Sequence, residues 1–478
     1  MNPVPHNPDT RMQEQTNTNS ARDKEVELAL FAKREKIFPR EVHGLFAGLR
    51  IASVFVLLGI FYGLPWISWD GHQSILLDLP ARKFYVFSLT FWPQDFLYLT
   101  FLLIIAALSL FFFTTLAGRL WCGYACPQTV WTETFLWIER LIEGSRSQQM
   151  RLERENMSFR KFRIKASKHA LWIIFALFTG FTFVSYFTPA KVLVEEIVHF
   201  QLSPWETFWL LFYAFATYGN AGWMREQVCM YMCPYARFQS AMFDDDTLIV
   251  SYDTQRGDPK GARSPSIDHR QKGLGDCINC TMCVQVCPTG IDIRDGLQYQ
   301  CISCSACIDA CDDVMEKMQY PKGLIRYTTQ NALAGKKSHI FRPRVLIYGA
   351  LLLFLLLTFS YSIWNRVPLG LDVIRDRNQL YRETQGLIEN VYTLKILNMD
   401  TKAHSYTLSV NGIEDLKIAT AHQDLVVESG EVKDIPVRVQ VDEMNLSGRS
   451  SDIFFTIQAT DAAQLSAIER ARFLGPVP

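Results

Sequence analysis

Long uncharged stretches occur up to residue 365, and they predict helices that cross a membrane. A helix needs roughly 20 apolar residues to cross the hydrocarbon core of a bilayer. Five stretches of about this length carry no charge: Ile51–Ser68, Phe96–Gly118, Ala170–Ala190, Thr207–Met224 and Val345–Asn365. The fourth contains Gly219 and Asn220, so a buried or re-entrant helix is the alternative for it. The pattern predicts a transmembrane α-helical bundle of about five spans.

After residue 365 the hydrophobic period changes to two, which is typical of half-buried antiparallel strands. Apolar residues alternate with polar neighbours in four segments: Tyr392, Leu394, Ile396; Tyr406, Leu408, Val410; Ile435, Val437, Val439, Val441; and Ile453, Phe455, Ile457, Ala459. Turn pairs occur at Asn411-Gly412 and Ser429-Gly430. Strands at this interval predict an all-β immunoglobulin-like domain. It contains no apparent catalytic constellation, so we expect a docking module.

The distribution of basic residues predicts the orientation of the spans, because cytoplasmic segments are enriched in Lys and Arg. Eight basic residues lie before or at the start of the first span and ten lie in 119–169, whereas the loops 69–95 and 191–206 carry two and one. We therefore expect a multi-pass membrane protein with a cytoplasmic amino terminus and a periplasmic C-terminal domain. Residues 1–24 are polar, lack the apolar core of a signal peptide and predict a disordered tail.

These patterns predict a multi-domain membrane protein. The expected parts are a partly disordered cytoplasmic segment (1–45), a region with four spans (46–250), a cytoplasmic domain with its linker (251–344), a last transmembrane helix (345–365) and a periplasmic domain (366–478). Lys plus Arg equal Asp plus Glu at 48 each, and no nucleic-acid partner is predicted. The lipid bilayer is the expected environment. The nine histidines show no paired spacing in the apolar stretches, so haem binding between helices is not supported.

All twelve cysteines lie between residues 122 and 311, and eight of them form two matching runs. The runs are Cys277, Cys280, Cys283, Cys287 and Cys301, Cys304, Cys307, Cys311, each with the spacing C-x2-C-x2-C-x3-C. This is the ligand pattern of bacterial ferredoxins with two 4Fe–4S clusters, in which the fourth cysteine of each run binds the other cluster. We therefore assign Cys277, Cys280, Cys283 and Cys311 to one cluster, and Cys301, Cys304, Cys307 and Cys287 to the other. Structural zinc is the alternative, but it does not require two matching runs of four.

The other four cysteines form two C-x-Y-x-C-P motifs, Cys122-Gly-Tyr-Ala-Cys126-Pro127 and Cys229-Met-Tyr-Met-Cys233-Pro234. Each motif follows a predicted span, and residues at i and i+4 share one helix face. We call Cys122, Cys126, Cys229 and Cys233 the membrane-edge thiols. Soft thiolates, with thioethers at Met230 and Met232, favour Cu(I). A further iron–sulfur cluster, redox-active dithiols and simple buried cysteines are the alternatives.

In this combination of motifs the whole chain resembles the CcoG/FixG/RdxA family of cytochrome c oxidase accessory proteins, which are membrane polyferredoxins. The resemblance implies a protein of the bacterial inner (plasma) membrane with two cytoplasmic 4Fe–4S clusters and a periplasmic immunoglobulin-like tail. It also implies a cupric reductase, an oxidoreductase that makes Cu(I) for the assembly of cbb-type oxidase. The partners would then be an unidentified cytoplasmic electron donor, copper-delivery proteins and oxidase subunits. Copper would be bound and reduced at the membrane-edge thiols.

Two other functions agree with the same sequence. One is a quinol-oxidising polyferredoxin, in which electrons come from the bilayer and leave through the clusters. The other is a non-enzymatic assembly scaffold that docks on oxidase subunits through its strand-rich domain. The sequence itself supports membrane-bound electron transfer, whereas the copper step comes from the resemblance.

Overall fold

The computed structural model describes residues 36–69, 71–264, 272–377, 379–384, 386–400, 402–419, 425–446, 448–462 and 464–476. The predicted disordered tail, residues 1–24, and residues 265–271 of the predicted linker lie outside these ranges. Two compact units are present, one formed by the chain up to Leu89 and by Ala106–Ala350, the other by Thr90–Ile105 and Leu351–Pro478. We describe each unit by itself.

Helices form most of the chain before residue 365. Their bounds are α1 Leu45–Gly63, α2 Phe96–Ala117, α3 Leu120–Tyr124, α4 Pro127–Glu143, α5 Arg146–Arg154, α6 Phe159–Val184, α7 Ala190–Val198, α8 Pro204–Thr217, α9 Pro234–Met242, α10 Thr254–Gly257, α11 Met282–Gln285, α12 Ala306–Lys317, α13 Gln330–Leu333 and α14 Pro343–Trp364. Two π-helical segments, Tyr218–Met224 and Val228–Met232, lie between α8 and α9.

Among the described residues, four helices are long and apolar enough to cross a membrane: Leu45–Trp66, Pro93–Ala117, Phe159–Val184 and Pro343–Trp364. They correspond to the first, second, third and fifth predicted spans. The fourth predicted span differs, because α8 ends at Thr217 after 14 residues and continues as the π-helical segment Tyr218–Met224. Glycine and asparagine are poor helix formers, and they lie where the α-helix gives way to the wider π turn.

Helix α4 packs into the core of the first unit. Phe135 is fully buried and contacts Trp172 of α6, with their rings 5.4 Å apart. Helices α6 and α8 approach closely, since a Cβ at Gly180 would lie 2.3 Å from the Leu210 carbonyl oxygen. This core fixes α4 and the π-helical segments, which carry or flank two of the cysteine motifs.

Strands occur in both units. Their bounds are β1 Ser68–Trp69, β2 His72–Gln73, β3 Ile75–Asp78, β4 Lys83–Val86, β5 Leu89–Phe91, β6 Ile249–Tyr252, β7 Ile325–Thr328, β8 Leu369–Arg375, β9 Arg382–Thr384, β10 Leu387–Asn398, β11 His404–Asn411, β12 Lys417–Ile418, β13 Leu425–Val427, β14 Val432–Asp442, β15 Ser450–Ala459 and β16 Ser466–Leu474. In the first unit, β6 and β7 pair antiparallel on either side of the cysteine runs in sequence, and so bring the two ends of that segment together.

The second unit contains a two-sheet β-structure. One sheet has the order β12-β14-β10-β8 with β9 on β10, and the other has the order β13-β11-β15-β16. The residues predicted to face inward are buried, including Tyr392, Val437 and Phe455 at 0% exposure, except Leu408, which is half-buried. The alternating pattern is confirmed because a period of two places every second side chain between the sheets. Arg366 binds Asp95 at 2.6 Å at the other end of this unit.

Candidate metal centres

The structure groups the eight ferredoxin-type cysteines around two cavities in the first unit. The first thiol cavity is lined by Cys277, Cys280, Cys283 and Cys311. The second thiol cavity is lined by Cys287, Cys301, Cys304 and Cys307. Cys283 also lies on the wall of the second cavity, so the two sites are neighbours. Each run therefore contributes three thiols to one cavity and its fourth thiol to the other, which is the grouping that the spacing predicts.

Both cysteine runs contain the same backbone turn, and this turn points their thiols toward the cavities. Asn279 and Thr281 flank Cys280 with φ of 56° and 57°, and Ser303 and Ser305 flank Cys304 with φ of 53° and 61°. Non-glycine residues rarely adopt this left-handed conformation, and each instance costs about 1–3 kcal/mol. The repeated turn lets three sulfurs from one short loop reach the same cavity. A strained conformation at equivalent positions of both runs indicates that ligand geometry, rather than chain preference, selects it.

Burial makes the free thiols poor acids, so they require positive charge nearby to be thiolates. Burial raises the pKa of Cys304 to about 12, although Arg50 opposes the shift, and it raises the pKa of Cys307 well above its usual value. Burial, together with nearby Cys283, raises the pKa of Cys311 to about 12. Bound metal reverses this preference because it holds thiols in the deprotonated form. The donor sets therefore suit a metal cluster.

The grouping of the thiols matches the donor sets that two clusters need. Four thiols line the first cavity, and the other four line the second. In a 4Fe–4S cluster four cysteine thiolates bind the four irons. The two thiol cavities therefore fit the predicted clusters.

Helix α12 carries Cys307 and Cys311 and contacts the first membrane helix. Asp309 lies between these cysteines and is 7% exposed. Its carboxylate accepts the backbone N–H groups of Phe46 and Ala47 at 3.2 and 2.7 Å, and thereby caps the N-terminus of α1. A Cβ at Gly44 would lie 2.4 Å from the Asp309 carboxyl carbon, so glycine provides the space. The second thiol cavity is thus fixed to the start of α1.

In each membrane-edge motif the second cysteine lies at the start of a new helix, so the two cysteines of the motif do not share one helix face. Cys122 lies in the short helix α3, whereas Cys126 is the N-cap of α4 with Pro127 in its first turn. Cys229 lies in a π-helical segment, whereas Cys233 is the N-cap of α9, also followed by proline. The expectation that each pair shares one helix face is wrong, because proline is favoured at the first position of a new helix.

The two motifs nevertheless lie together. Burial raises the pKa of Cys122 to about 12, and the charges of Cys126, Cys229 and Cys233 raise it as well. Burial raises the pKa of Cys229 to about 11, with contributions from Cys126 and Cys233. Each of these thiols therefore lies within electrostatic reach of the others. The structure brings together the four cysteines that the repeated motif singled out.

The membrane-edge thiols also lie next to the second thiol cavity. A Cβ at Gly123, inside the first motif, would lie 2.8 Å from the Ser303 carbonyl oxygen, between Cys301 and Cys304. Arg119 is buried, and its guanidinium donates hydrogen bonds to the carbonyls of Tyr299, Cys301 and Ala236. Arg119 thus ties the start of the first motif to the second ferredoxin run and to α9.

A buried network of charged side chains connects the helix that follows the first membrane-edge motif to the segment that precedes the second. Glu139 of α4 has a side chain that is 1% exposed, and it binds Arg225 at 2.7 Å, Lys36 at 2.9 Å and Lys168 at 3.5 Å. Arg225 lies just before the π-helical segment that carries Cys229, and α4 begins directly after Cys126. Sequence reasoning missed Arg119, Glu139, Arg225 and Asp309. A charged residue within an otherwise apolar helix face was the available signal for Glu139.

Comparisons with known proteins agree with these sites. A family profile described as a 4Fe-4S dicluster domain matches residues 224–330, and one described as a 4Fe-4S binding domain matches residues 99–144, which contain Cys122 and Cys126. A third profile, described as an IG-like fold at the C-terminal of FixG, matches residues 359–476. The predicted ferredoxin-like domain and immunoglobulin-like domain are therefore confirmed. The match over residues 99–144 falls where a further iron–sulfur cluster was one of the alternatives.

Similar proteins extend over most of the chain. Protein RdxB of Cereibacter sphaeroides is 41% identical over 406 residues, which cover 82% of this chain and 85% of that protein. Nitrogen fixation protein FixG of Rhizobium meliloti is 37% identical over 464 residues, which cover 89% and 87%. The crystal structure of a FixG-related protein from Vibrio parahaemolyticus is 34% identical with a TM-score of 0.21, and the match covers 22% of this chain and 95% of that one.

Proposed function

The chain belongs to the FixG family of membrane iron–sulfur electron-transfer proteins, and from that premise we propose that it reduces Cu(II) to Cu(I) at the membrane-edge thiols. The Cu(I) would serve the assembly of a cbb-type cytochrome c oxidase. Clusters held in the two thiol cavities would supply the single electrons that this reduction needs. The residues of the membrane-edge motifs would bind the copper ion and hold it near the second thiol cavity.

The close approach of Gly123 to the loop between Cys301 and Cys304 is the observation that carries the proposal. It places the membrane-edge thiols beside a candidate electron source. Arg119 stabilises the same contact through its hydrogen bonds to the carbonyls of Tyr299 and Cys301. A metal ion bound by these thiols therefore lies a short distance from the second thiol cavity, which electron transfer requires.

The donor atoms favour the product oxidation state. Thiolate and thioether sulfur are soft ligands that prefer Cu(I). Met232 is 59% exposed beside Cys233, which offers an entry position for incoming copper. A site that binds Cu(I) more tightly than Cu(II) makes each one-electron reduction more favourable.

The proposed orientation puts the cysteine-rich region in the cytoplasm of a bacterium and the immunoglobulin-like domain in the periplasm. The excess of basic residues before α1 and between α2 and α6 supports this orientation. It requires Pro204–Met224 to cross the bilayer as one helical unit, although it includes a π-helical part. In this arrangement the periplasmic domain docks on copper-delivery proteins or oxidase subunits.

Anaerobic Cu(II) reduction by chemically reduced protein tests the proposal. The wild type is compared with a variant in which the four membrane-edge thiols are serine, after its cluster iron has been shown to be retained. We expect reduction to slow by more than an order of magnitude in the variant. Replacement of Met232 by Leu should weaken copper binding, whereas the matched change at exposed Met157 should not. Equal rates in wild type and four-serine variant would refute the copper route.

A further iron–sulfur cluster at the membrane-edge thiols is the second candidate, because the 4Fe-4S binding profile covers Cys122 and Cys126. In that case the four-serine variant loses iron relative to wild type and an EPR signal disappears. Under the copper proposal, its iron content and its EPR spectrum stay the same. The two candidates thus differ in iron content before any copper is added.

A further inference from the structure

A cavity of about 140 Å³ in the first unit lies between a membrane helix and the metal centres. Its wall includes Ile51 of α1 and Leu136 of α4 on one side, and Cys229 and Cys304 on the other. The cavity thus touches both a membrane-edge thiol and the second thiol cavity. The proposed copper chemistry uses Cys229 on the wall but gives the cavity itself no ligand.

The size and charge of the cavity favour a small neutral ring as its ligand. A cavity of about 150 Å³ holds one benzene ring. Four arginines and three glutamates line the space: Arg40, Arg50, Arg140, Arg225, Glu41, Glu133 and Glu226. Two of the four arginines form ion pairs, since Arg140 binds Glu133 at 3.1 Å and Arg225 binds Glu139 at 2.7 Å. The three lining glutamates together with Glu139 equal the four arginines in number, so the wall has no excess positive charge that would favour a phosphate or carboxylate, and a neutral ring with polar oxygens is compatible.

An apolar tail attached to such a ring has a path into the bilayer. Ile51 lines the cavity and is 44% exposed on helix α1. One turn further along, Phe55 is 66% exposed, and its ring lies 5.7 Å from that of Trp137, another residue of the cavity wall. A chain leaving past Ile51 and Phe55 follows the apolar surface of a helix that is long enough to span a membrane.

We propose that this cavity binds the ring of a benzoquinol from the membrane pool and that this quinol is the electron donor. Oxidation of one quinol to its quinone releases two electrons and two protons. Clusters held in the two thiol cavities would accept the two electrons, one each, and exposed His43 and Glu41 at the cavity wall pass the protons to water. The destination of the electrons rests on the proposed function, whereas the binding site does not.

Photolabelling with an azido-substituted short-chain ubiquinone tests the site directly. The cluster-loaded protein in detergent is labelled, digested and mapped, with unmodified decylubiquinone as competitor. We expect saturable, competed labelling on the cavity segments Ile37–Ile51 and Gln128–Arg140. Thr132→Phe, which fills the cavity, and Arg140→Lys, which replaces the guanidinium at the cavity wall, should each lower the labelling by about an order of magnitude. The matched controls Thr134→Phe on α4 and Arg151→Lys on α5 should label as the wild type does.

Electron transfer provides the second readout. Chemically reduced protein is mixed with decylubiquinone or with Cu(II), and the ratio of the two reoxidation rates is measured. We expect Thr132→Phe and Arg140→Lys to lower the quinone rate relative to the copper rate. Labelling elsewhere in the chain, or labelling unaffected by both substitutions, would overturn the quinol site. Failure of Cu(II) to reoxidise any form would refute the copper proposal while leaving the labelling result decisive for the cavity.

Discussion

Substitution of Glu139 by Gln should weaken the connection between the two cysteine motifs of the membrane-edge site, Cys122/Cys126 and Cys229/Cys233. The change keeps the size of the side chain but removes the negative charge that binds Arg225, Lys36 and Lys168. Arg225 would remain buried without this counter-charge, directly before the segment that carries Cys229. We therefore expect local opening of that segment rather than loss of the whole fold.

The pKa of Glu139 gives the magnitude. Burial alone would raise this pKa, but Arg225, Lys36 and Lys168 lower it by more, from 4.5 to about 2. At 1.36 kcal/mol per pKa unit, the ionised form contributes about 3 kcal/mol to folding stability. Breaking a buried ion pair by removing one partner costs a similar 3–5 kcal/mol, roughly. The contribution is fully present above pH 4.5 and is lost as the pH falls through about 2.

Hydrogen exchange measured by mass spectrometry on the intact, cluster-loaded protein tests this prediction. An opening free energy lower by about 3 kcal/mol corresponds to about a hundredfold loss of protection. We expect that loss in the peptides of α4 and of residues 218–232. Glu155→Gln is the matched control, because Glu155 pairs with exposed Arg151 and such pairs contribute less than about 1 kcal/mol. Protection within threefold of wild type in Glu139→Gln would refute the structural role of the network.

Three further predictions concern individual contacts. Asp309→Asn weakens the cap of α1 by about 1 kcal/mol, and faster exchange at the start of α1 would reveal it. Gly123→Ala forces its Cβ against a carbonyl between two cluster thiols and destabilises that contact by about 1–3 kcal/mol, so Cu(II) reduction should slow while iron content is kept. His404 is buried, which lowers its pKa, but Asp400 and Asp461 raise the pKa above 6.5 overall. Its contribution to stability is therefore present below pH 6.5 and lost as the pH rises through the folded pKa, and exchange in β11 should increase at alkaline pH in the wild type but not in His404→Gln.

The parts of the fold that can be predicted from the sequence are those with a regular short-range spacing of apolar residues or cysteines. Alternation in Tyr392–Ile396 and Ile453–Ala459 predicts which side chains fill the sandwich, and their burial confirms it. The spacing of the cysteine runs predicts how thiols are grouped in the two cavities, because a cubane limits which loop geometries can bind it. Iron ligation by each named cysteine stays a prediction.

Contacts between distant segments could not be predicted in the same way. Asp309 caps a helix that lies 263 residues away in the chain, and Glu139 pairs with Arg225 across 86 residues. No local pattern encodes such a partner. The fourth span was predicted from hydropathy, which does not register that Tyr218–Met224 widens into a π-helix. The cavity beside Arg140 likewise results from the packing of three separate segments.

The most direct test of the central claim is a single-turnover experiment under anaerobic conditions. Reduced, cluster-loaded protein is mixed with Cu(II), and the loss of reduced cluster is followed together with the formation of Cu(I) on a chelator. If the clusters pass their electrons to copper at the membrane-edge thiols, the two time courses coincide with equal stoichiometry. Both should then slow when these thiols are replaced by serine. Formation of Cu(I) while the clusters stay reduced, or cluster oxidation at the wild-type rate in the serine variant, would contradict it.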